Sequence, residues 1–392
     1  MRKGSAEMRW VMIYMDHAAT TKTAPEVVEA MLPYYTECYG NAGSIYGLGS
    51  KSRKAVIDAK ETIAETLGAD TNEIYFTAGG TESDNWALKG VYEAYQEKGR
   101  HIITTKIEHH AILHTCEYLE KRGAQITYLD VDEDGVVDLE QLKKAIRPDT
   151  ILISVMYANN EIGTLQPIRE IGEIAAAYGI LFHTDAVQAY GQIPICVSDS
   201  HIDLLSASGH KFGGPKGIGF LYISRKVRLP SFIHGGRQER GRRAGTENIP
   251  AIVGMAAAVK RACRIMEEKT KRETELRDYL IARIEQEIPR VRLNGHRTKR
   301  LPGNVNFCFE SVESESALIM LDMQGICASG GSACTTGSLD PSHVLLAIGL
   351  SPDSARASIR LTLGEENTKE EIDAVVEALA RIADKIRGIR EM

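Results

Sequence analysis

A lysine and an aspartate lie in two segments whose composition suits a cofactor bound as a Schiff base. Lys211 stands among small residues and glycines in Ser206-Ala-Ser-Gly-His-Lys-Phe-Gly-Gly-Pro, where the backbone can approach a ligand closely. Asp185 follows the apolar run 180–182 and should project from the carboxyl end of a strand, with a helix N-cap as the alternative. An amine for the Schiff base and an anion for the pyridine nitrogen are what an enzyme needs to hold pyridoxal phosphate. The two residues therefore predict a pyridoxal phosphate site.

Glycine and polar residues that follow other strand-like runs are candidates for the same site. Gly80 and Thr81 follow a strand and open a helix, so free backbone amides can bind a phosphate there, although most Gly-Gly-Thr sequences are only turns. His109 either stacks on the cofactor ring and shuttles protons or is a structural loop histidine. Asn160 lies in an Asn-Asn-Glu segment whose alternative is a plain polar turn. Gln188 follows the aspartate closely enough to bond the phenolic oxygen of the cofactor.

A cysteine in a loop of small residues and an arginine on a strand indicate how a substrate is handled. Cys334 follows Ala328-Ser-Gly-Gly-Ser-Ala with little to bury it, and exposure favours a reactive thiolate. Cys308, between two phenylalanines, is instead predicted to lie in a core. Arg360 either clamps a substrate carboxylate or is an exposed strand residue. The basic loop before Thr246 is either a partner subunit's contribution to a phosphate site or a solvated charge run.

Alternating strand and helix patterns must position these residues. Between about residues 50 and 225 the strand candidates are 73–77, 101–104, 126–129, 151–155, 180–183, 203–206 and 218–223. Most of these runs are almost continuously apolar, as central strands covered on both faces are. The helical pattern between them predicts an α/β fold with a mostly parallel, seven-stranded sheet. Such a sheet binds its ligand at the carboxyl ends of its strands.

A second, smaller α+β region follows a long helical stretch at 251–287. Short strands are predicted at 304–309, 326–329 and 358–363, and Thr368 and Glu371 have the spacing of a capping box for the last helix. We expect three parts in the chain. They are an N-terminal segment at 1–20 that packs with the small domain, a large cofactor-binding domain at 21–262, and a small domain at 263–392 that carries the cysteine loop.

Length, charge and cysteine usage narrow the class of protein. The 392 residues carry a formal net charge of −6, which gives no reason to expect nucleic acid or an anionic membrane as a partner. No apolar run approaches the roughly 20 residues that span a bilayer, and the first ten residues lack the apolar core of a secretory signal. The seven cysteines include no Cys-x-x-Cys pair, which argues against disulfides and structural zinc. These features predict a cytoplasmic protein with no metal of its own.

The motifs together resemble those of the cysteine desulfurases of the NifS/IscS type, in the class V branch of fold-type I pyridoxal phosphate enzymes. The resemblance runs from Tyr14-Met-Asp-His-Ala-Ala-Thr-Thr to the final helix. Its most specific motifs are Ala-Gly-Gly-Thr-Glu-Ser-Asp-Asn, Glu-His-His-Ala-Ile-Leu, Asn-Asn-Glu-Ile-Gly, His-Thr-Asp-Ala-Val-Gln and Ser-Gly-His-Lys. It implies the fold-type I transferase architecture, with the seven-stranded sheet in the large domain.

The resemblance implies a role for each candidate residue. Lys211 would form the Schiff base and remove the substrate's α-proton, while Asp185 pairs with the pyridine nitrogen and Gln188 bonds the phenolic oxygen. His109 would stack on the ring as a catalytic residue, and Asn160 would contact both cofactor and substrate. The residues implied to hold the phosphate are Gly80, Thr81, Ser208, His210 and, from the other subunit of a homodimer, Thr246.

The resemblance also implies the reaction. Arg360 would bind the carboxylate of L-cysteine, and Cys334 would take its sulfur as a persulfide, which leaves L-alanine. A sulfur acceptor or an iron–sulfur scaffold protein would then collect the sulfur. The resemblance implies no metal site, apart from a transient contact of Cys334 with an iron–sulfur cluster. The alternatives are a selenocysteine lyase, a class V aminotransferase, and a non-catalytic scaffold that binds assembly proteins.

Overall fold

A seven-stranded sheet occupies the centre of the larger part of the molecule. The computed structural model describes residues 12–330 and 340–390. In chain order its strands are β1 (Ile13–Tyr14), β2 (Ile74–Thr77), β3 (His101–Thr105), β4 (Gln125–Leu129), β5 (Thr150–Ser154), β6 (Leu181–Asp185), β7 (Leu204–Ser208), β8 (Gly219–Ile223), β9 (Val291–Leu293), β10 (Asn304–Phe309), β11 (Ile326–Cys327), β12 (Ser329–Gly330) and β13 (Ser358–Thr362). The large sheet has the order β2-β8-β7-β6-β5-β3-β4, and only β8 runs antiparallel to its neighbours. The predicted mostly parallel, seven-stranded sheet is confirmed.

Two of these strands run further toward the site than the sequence pattern indicates. The predicted run 180–183 becomes β6, which ends at Asp185, and the predicted run 203–206 becomes β7, which ends at Ser208. The extra residues are small or polar, yet Asp185 pairs with Ser206 and Ser208 pairs with Gly219 in the sheet. Because backbone pairing is independent of side-chain polarity, the ladder carries polar side chains to the edge where a ligand binds.

Helices cover both faces of this sheet. They are α1 (Pro25–Met31), α2 (Pro33–Thr36), α3 (Gly47–Leu67), α4 (Gly80–Tyr95), α5 (His110–Glu120), α6 (Leu139–Ala145), α7 (Ile168–Tyr178), α8 (Ile249–Glu287), α9 (Ser314–Asp322), α10 (His343–Ala347), α11 (Pro352–Arg356) and α12 (Lys369–Arg390). Leu67 of α3 and Met255 of α8 are buried in the core on one face. Trp86 of α4 and Ile112 of α5 are buried in the core on the other. Covering both faces explains why the central strands are almost continuously apolar.

A second core lies around a four-stranded antiparallel sheet of order β12-β13-β10-β9. Phe307 and Leu361 from this sheet pack with Ile284 of α8 and Val376 of α12. Strand β10 has the bounds that the sequence predicts, and the last helix begins with the predicted capping box. The predicted strand 326–329 is instead two short strands in two sheets, since β11 pairs with β1 while β12 pairs with β13.

The N-terminal segment joins the second core. Strand β1 pairs in parallel with β11, and Met15 is fully buried in the second core. The predicted division into an N-terminal segment and a small domain stays a prediction, and residues 1–11 lie outside the described part. The predicted boundary between 262 and 263 falls inside the continuous helix α8 and stays a prediction. Among the residues that the structure describes, no helix has the length and apolar character needed to cross a membrane.

Candidate active site

A cavity of about 400 Å³ opens at the carboxyl ends of the parallel strands. Most of the predicted site residues line it, namely Gly80, Thr81, His109, Asn160, Asp185, Gln188, Ser208, His210, Lys211 and Arg360. Two predicted residues are not among them. Cys334 lies outside the described residues, and Thr246 is exposed and does not line the cavity. The structure therefore brings together residues that are up to 280 positions apart, from Gly80 to Arg360.

Lys211 lies in a tight turn after β7 and reaches the N-terminal segment. Its Nζ donates to the carbonyl oxygens of Ala18 at 2.5 Å and Ala19 at 2.9 Å. The loop folds back so tightly that a Cβ on Gly214 would come within 2.7 Å of the Gly209 carbonyl oxygen. Glycine at this position lets the backbone fold back on itself, which places the amine in the cavity.

Asp185 is the last residue of β6, and its carboxyl group is buried at the base of the cavity. Its Oδ1 accepts from the backbone N–H of Val187 at 2.9 Å. Burial raises the pKa of Asp185, and the nearby Lys211 ammonium acts in the opposite direction. A cationic ring nitrogen facing this carboxylate would offset the cost of burying its charge.

A second buried carboxyl group lies beside Asp185. Asp84 on α4 is 1% exposed and also lines the cavity, and its Oδ1 has no hydrogen-bond partner among the described residues. Burial raises the pKa of Asp84 strongly, and the charge of Asp185 raises it further. Our sequence interpretation missed this residue. Its signal was the spacing from Gly80, since residues four apart lie on the same side of a helix.

The start of α4 is suited to hold a phosphate group. Gly79 precedes the helix with φ 155°, and no side chain caps the first turn. A Cβ on Gly80 would lie 2.5 Å from Cγ2 of Val187, so only glycine fits where the backbone lines the cavity. The acidic Glu82 in this turn is neutralised by Arg243, whose Nε donates to it at 2.8 Å. The free amides and the helix dipole therefore remain available to an anion.

Ser208 and His210 border the same end of the cavity. Ser208 is buried at the end of β7, and Nδ1 of His210 lies 3.1 Å from Oγ1 of Thr20. Burial, assisted by the neighbouring lysine Lys211, lowers the pKa of His210 to about 4. A neutral imidazole and a hydroxyl group can hydrogen-bond an anion without adding charge.

Arg360 enters the cavity from the second sheet. It is 2% exposed, so the alternative of an exposed strand residue is wrong. One terminal nitrogen donates to Asp16 at 2.8 Å, the other donates to the Asn160 carbonyl at 2.9 Å, and Nε has no partner among the described residues. These two bonds use two of the five N–H groups of the guanidinium, so the Nε–H and one hydrogen on each terminal nitrogen can donate to a carboxylate.

The loop that carries Asn160 is held by the second sheet and its neighbours. Besides the bond from Arg360, Asn306 donates to the Glu161 carbonyl at 3.1 Å, and Arg300 donates to the Ile162 carbonyl at 2.6 Å. The Glu161 carboxyl is buried and accepts from the Ser342 hydroxyl at 2.5 Å. Burial raises the pKa of Glu161 to about 7. Our sequence interpretation named the asparagine but missed the role of its neighbours.

Histidine rings form one wall of the cavity. His109 is the N-cap of α5, and burial followed by the charge of Lys211 lowers its pKa to about 4. The His110 ring lies 4.8 Å from the His343 ring and 4.9 Å from the His114 ring, centroid to centroid. Our sequence interpretation assigned no role to His343, which follows the cysteine loop. Gln188 also lines the cavity, and its amide donates to the Ala18 carbonyl at 3.0 Å.

A lysine and an aspartate at the carboxyl end of a mostly parallel sheet are features of a known class of enzyme. The family model of class-V aminotransferases matches residues 13–375. The chain belongs to this family, and membership implies pyridoxal phosphate as the cofactor. The fold class predicted from the sequence is thereby confirmed.

Curated relatives identify the branch of the family. The cysteine desulfurase IscS of Clostridium botulinum strain Hall is 55% identical over 382 residues, which cover 97% of this chain and 96% of that protein. The cysteine desulfurase IscS of Methanosarcina thermophila is 55% identical over 377 residues, which cover 96% and 93%. The predicted resemblance to the NifS/IscS type is confirmed.

Solved structures agree with the curated relatives. A NifS-like protein superposes with a TM-score of 0.90 at 38% identity and covers 95% of this chain and 100% of its own. SspA in complex with cysteine superposes with a TM-score of 0.81 at 38% identity and covers 91% of this chain and 100% of its own.

Proposed function

We propose that this protein is a pyridoxal-phosphate-dependent cysteine desulfurase that converts L-cysteine to L-alanine and transfers the sulfur to Cys334. The observation that carries the proposal is the meeting of Lys211, Asp185 and Arg360 in one cavity of about 400 Å³. They supply an amine, a carboxylate and a guanidinium, which are the groups that bind an aldehyde cofactor, its ring nitrogen and an amino-acid carboxylate. The names of the relatives support cysteine as the amino acid.

The cavity fits the cofactor at both ends. The uncapped start of α4 at Gly80 and Thr81, with Ser208 and His210 beside it, would hold the phosphate. The buried carboxyl of Asp185 would pair with the ring nitrogen. His109 and Gln188 would cover the ring and bond its phenolic oxygen, respectively. When bound, pyridoxal phosphate supplies an electron sink for negative charge that develops on the substrate.

The chain's own residues perform the remaining steps. Arg360 would fix the substrate carboxylate, and the Asn160 side chain would orient the amino acid against the cofactor. The Lys211 amine would remove the proton from the α-carbon of the substrate. The Cys334 thiolate would then attack the substrate's sulfur, so that a sulfur–sulfur bond forms, the carbon–sulfur bond breaks, and its electron pair remains on carbon.

The protein would act as a homodimer. Thr246 is exposed and does not line the cavity of its own chain. A residue that completes the phosphate site of a partner subunit would lie in such a position. Large apolar side chains are exposed near α2 and the start of α3, namely Leu32, Tyr35, Tyr39, Ile45 and Tyr46. Ile45 is 96% exposed, and burial against a second copy would remove such surface from water. A molar mass of twice the chain's 43.1 kDa by light scattering is the expected result.

The sulfur would pass from Cys334 to an acceptor protein such as an iron–sulfur scaffold. The IscS name of the relatives supports this destination. The predicted cytoplasmic location and the identity of the acceptor stay predictions. Mixing the persulfide form of the enzyme with a candidate scaffold should move labelled sulfur to the scaffold, and no transfer would exclude that scaffold.

Product analysis tests the reaction directly. Purified protein with pyridoxal phosphate, a reductant and L-cysteine should release alanine and sulfide in equal amounts, in proportion to enzyme concentration. The Cys334→Ser variant should retain the absorption band of the bound cofactor but release neither product. Formation of a keto acid with an added amino acceptor would instead identify an aminotransferase. No product despite the cofactor band would contradict desulfuration and leave the cofactor site in place.

A further inference from the structure

His343 begins α10 and lies on the wall of the active-site cavity. Its Nε2 is 2.9 Å from the backbone carbonyl oxygen of Glu108. A carbonyl oxygen only accepts hydrogen bonds, so Nε2 must carry the hydrogen. In the neutral ring the lone pair is therefore on Nδ1, which has no hydrogen-bond partner among the described residues.

His109 has the opposite tautomer. Its Nδ1 accepts from the backbone N–H of Ala111 at 3.1 Å, so the lone pair on Nδ1 is already in use. In the neutral ring Nε2 then carries the hydrogen and acts as a donor. Of His109 and His343, which both line the cavity, only His343 keeps a ring lone pair that no backbone group uses.

The surroundings of His343 keep its ring neutral at neutral pH. Burial lowers its pKa below the ordinary 6.5, the Glu108 carbonyl raises it, and His110 and His114 lower it. The Glu108 carboxyl faces Thr105 and the N–H of Met156, and burial raises its pKa to about 8. It is therefore mostly uncharged at pH 7 and adds little attraction for an imidazolium.

A second buried acid contacts the residue that precedes α10. The Glu161 carboxyl accepts from Ser342, the residue before His343. Burial raises the pKa of Glu161 to about 7, so this group is also only partly ionised at neutral pH. The ring of His343 thus lies among groups that leave it neutral, and a neutral imidazole is the form that acts as a base.

We propose that Nδ1 of His343 is the base that accepts the thiol proton of the substrate cysteine. The sulfur–hydrogen bond breaks, its electron pair stays on sulfur, and the proton moves to Nδ1, which gives an imidazolium with hydrogen on both nitrogens. The sulfur is then ready to leave as an ionised persulfide. This inference rests on the proposed desulfurase function, because it assigns the group that receives the thiol proton when the persulfide forms in its ionised state.

Two variants separate proton transfer from structure. His343→Gln keeps a donor for the Glu108 carbonyl but cannot take up a proton, and His343→Ala leaves space for a small base. We expect kcat for alanine formation to fall about 100-fold in both, with KM within about three-fold and the cofactor band unchanged. Added imidazole should restore the rate of His343→Ala in proportion to its unprotonated fraction, and it should not restore His343→Gln.

The pH profile provides a second readout. In the wild type kcat should fall at acid pH, below the value of 6.5 at which an unperturbed histidine titrates, because the lowered pKa of His343 delays its protonation. His343→Gln should lack the acid limb, and the control His234→Gln, at an exposed ring outside the cavity, should keep both the rate and the limb.

Each remaining outcome decides against the inference. A His343→Gln enzyme with kcat within about three-fold of wild type and an intact acid limb would show that His343 is not the base. Loss of the limb in His110→Gln alone would assign the base to His110. A loss in His343→Ala that imidazole does not restore would mean a structural role. Failure of the proposed function is distinct, because the wild type itself would then form no alanine.

Discussion

The two sides of the cavity hold their charged groups in different ways. On the side of the large sheet, Lys211 is bound by the backbone carbonyls of Ala18 and Ala19. On the side of the second sheet, Arg360 is bound by the side chain of Asp16 and by the Asn160 carbonyl. The same N-terminal segment therefore anchors both cations, once through its backbone and once through a carboxylate. Side-chain substitution can remove only the second anchor.

The difference follows from what each cation does. A lysine that forms a covalent bond must leave its resting contacts, and carbonyl oxygens hold it without a full ion pair. The arginine keeps its charge throughout and must stay in one orientation to receive a carboxylate. A buried pair with Asp16 fixes that orientation and offsets part of the cost of burying the guanidinium. The four predictions that follow test this contrast, from the largest expected effect to the smallest.

Replacing the lysine should remove the chemistry while leaving the fold. We expect Lys211→Ala to lower kcat/KM for alanine formation by about 10⁴-fold or more, since both the Schiff base and the proton transfer are lost. Lys216→Ala is the matched control, because Lys216 is exposed in the same loop and does not line this cavity. Product analysis and thermal unfolding give the two readouts. Activity within ten-fold of wild type would contradict the assignment of Lys211.

Replacing the arginine should weaken substrate binding more than the chemical step. Arg360→Lys keeps the charge but loses the fork of donors, so we expect kcat/KM for L-cysteine to fall about 100-fold, mostly through KM. Arg169→Lys on the exposed surface of α7 is the control. Steady-state kinetics at several cysteine concentrations separates the two constants. A fall confined to kcat would place the substrate carboxylate elsewhere.

Removing the arginine's partner should have an intermediate effect. Asp16→Asn keeps the size and one acceptor oxygen but removes the charge, so KM should rise about ten-fold while the cofactor band is unchanged. Asp58→Asn, at an exposed carboxylate paired with Lys54, controls for surface charge. If Asp16→Asn matched the wild type, the orientation of Arg360 would depend on the Asn160 carbonyl alone.

The loop that carries Asn160 and Glu161 lies between the two sides of the cavity, and its contribution to stability should depend on pH. This is the smallest of the expected effects. The pKa of Glu161 is raised from 4.5 to about 7 in the folded protein, so the folded state binds a proton that the unfolded state has released between these values. The stability contribution is complete below about pH 4.5 and is lost as pH rises through about 7.

Denaturant unfolding at pH 6 and pH 8 measures this contribution. Relative to Glu161→Gln, which cannot ionise, the wild type should lose about 1 kcal/mol of its free energy of unfolding between these pH values. Glu173→Gln, on the exposed surface of α7, should follow the wild type. Parallel behaviour of wild type and Glu161→Gln would mean that Glu161 does not titrate in this range.

The sequence by itself determined the large sheet and the residues at its strand ends. Burial of both faces makes the strands continuously apolar, and polar residues such as Asp185 and Asn160 stand where those runs stop. Lys211 could also be predicted from local sequence, since its glycine-rich neighbours indicate a close approach of the backbone to a ligand. These signals are local, so no knowledge of distant residues was needed.

Only the tertiary structure decided the other side of the cavity. The alternating pattern around Arg360 fits an exposed or a buried arginine, and its burial depends on Asp16, which is 344 residues away in the chain. The predicted strand 326–329 is divided because β11 pairs with β1 while β12 pairs with β13. The orientation of α4 places Asp84 on the wall of the cavity. The tautomer of His343 likewise depends on the Glu108 carbonyl, 235 residues away. Such contacts form when separate elements pack, and local sequence does not encode which residue will lie opposite.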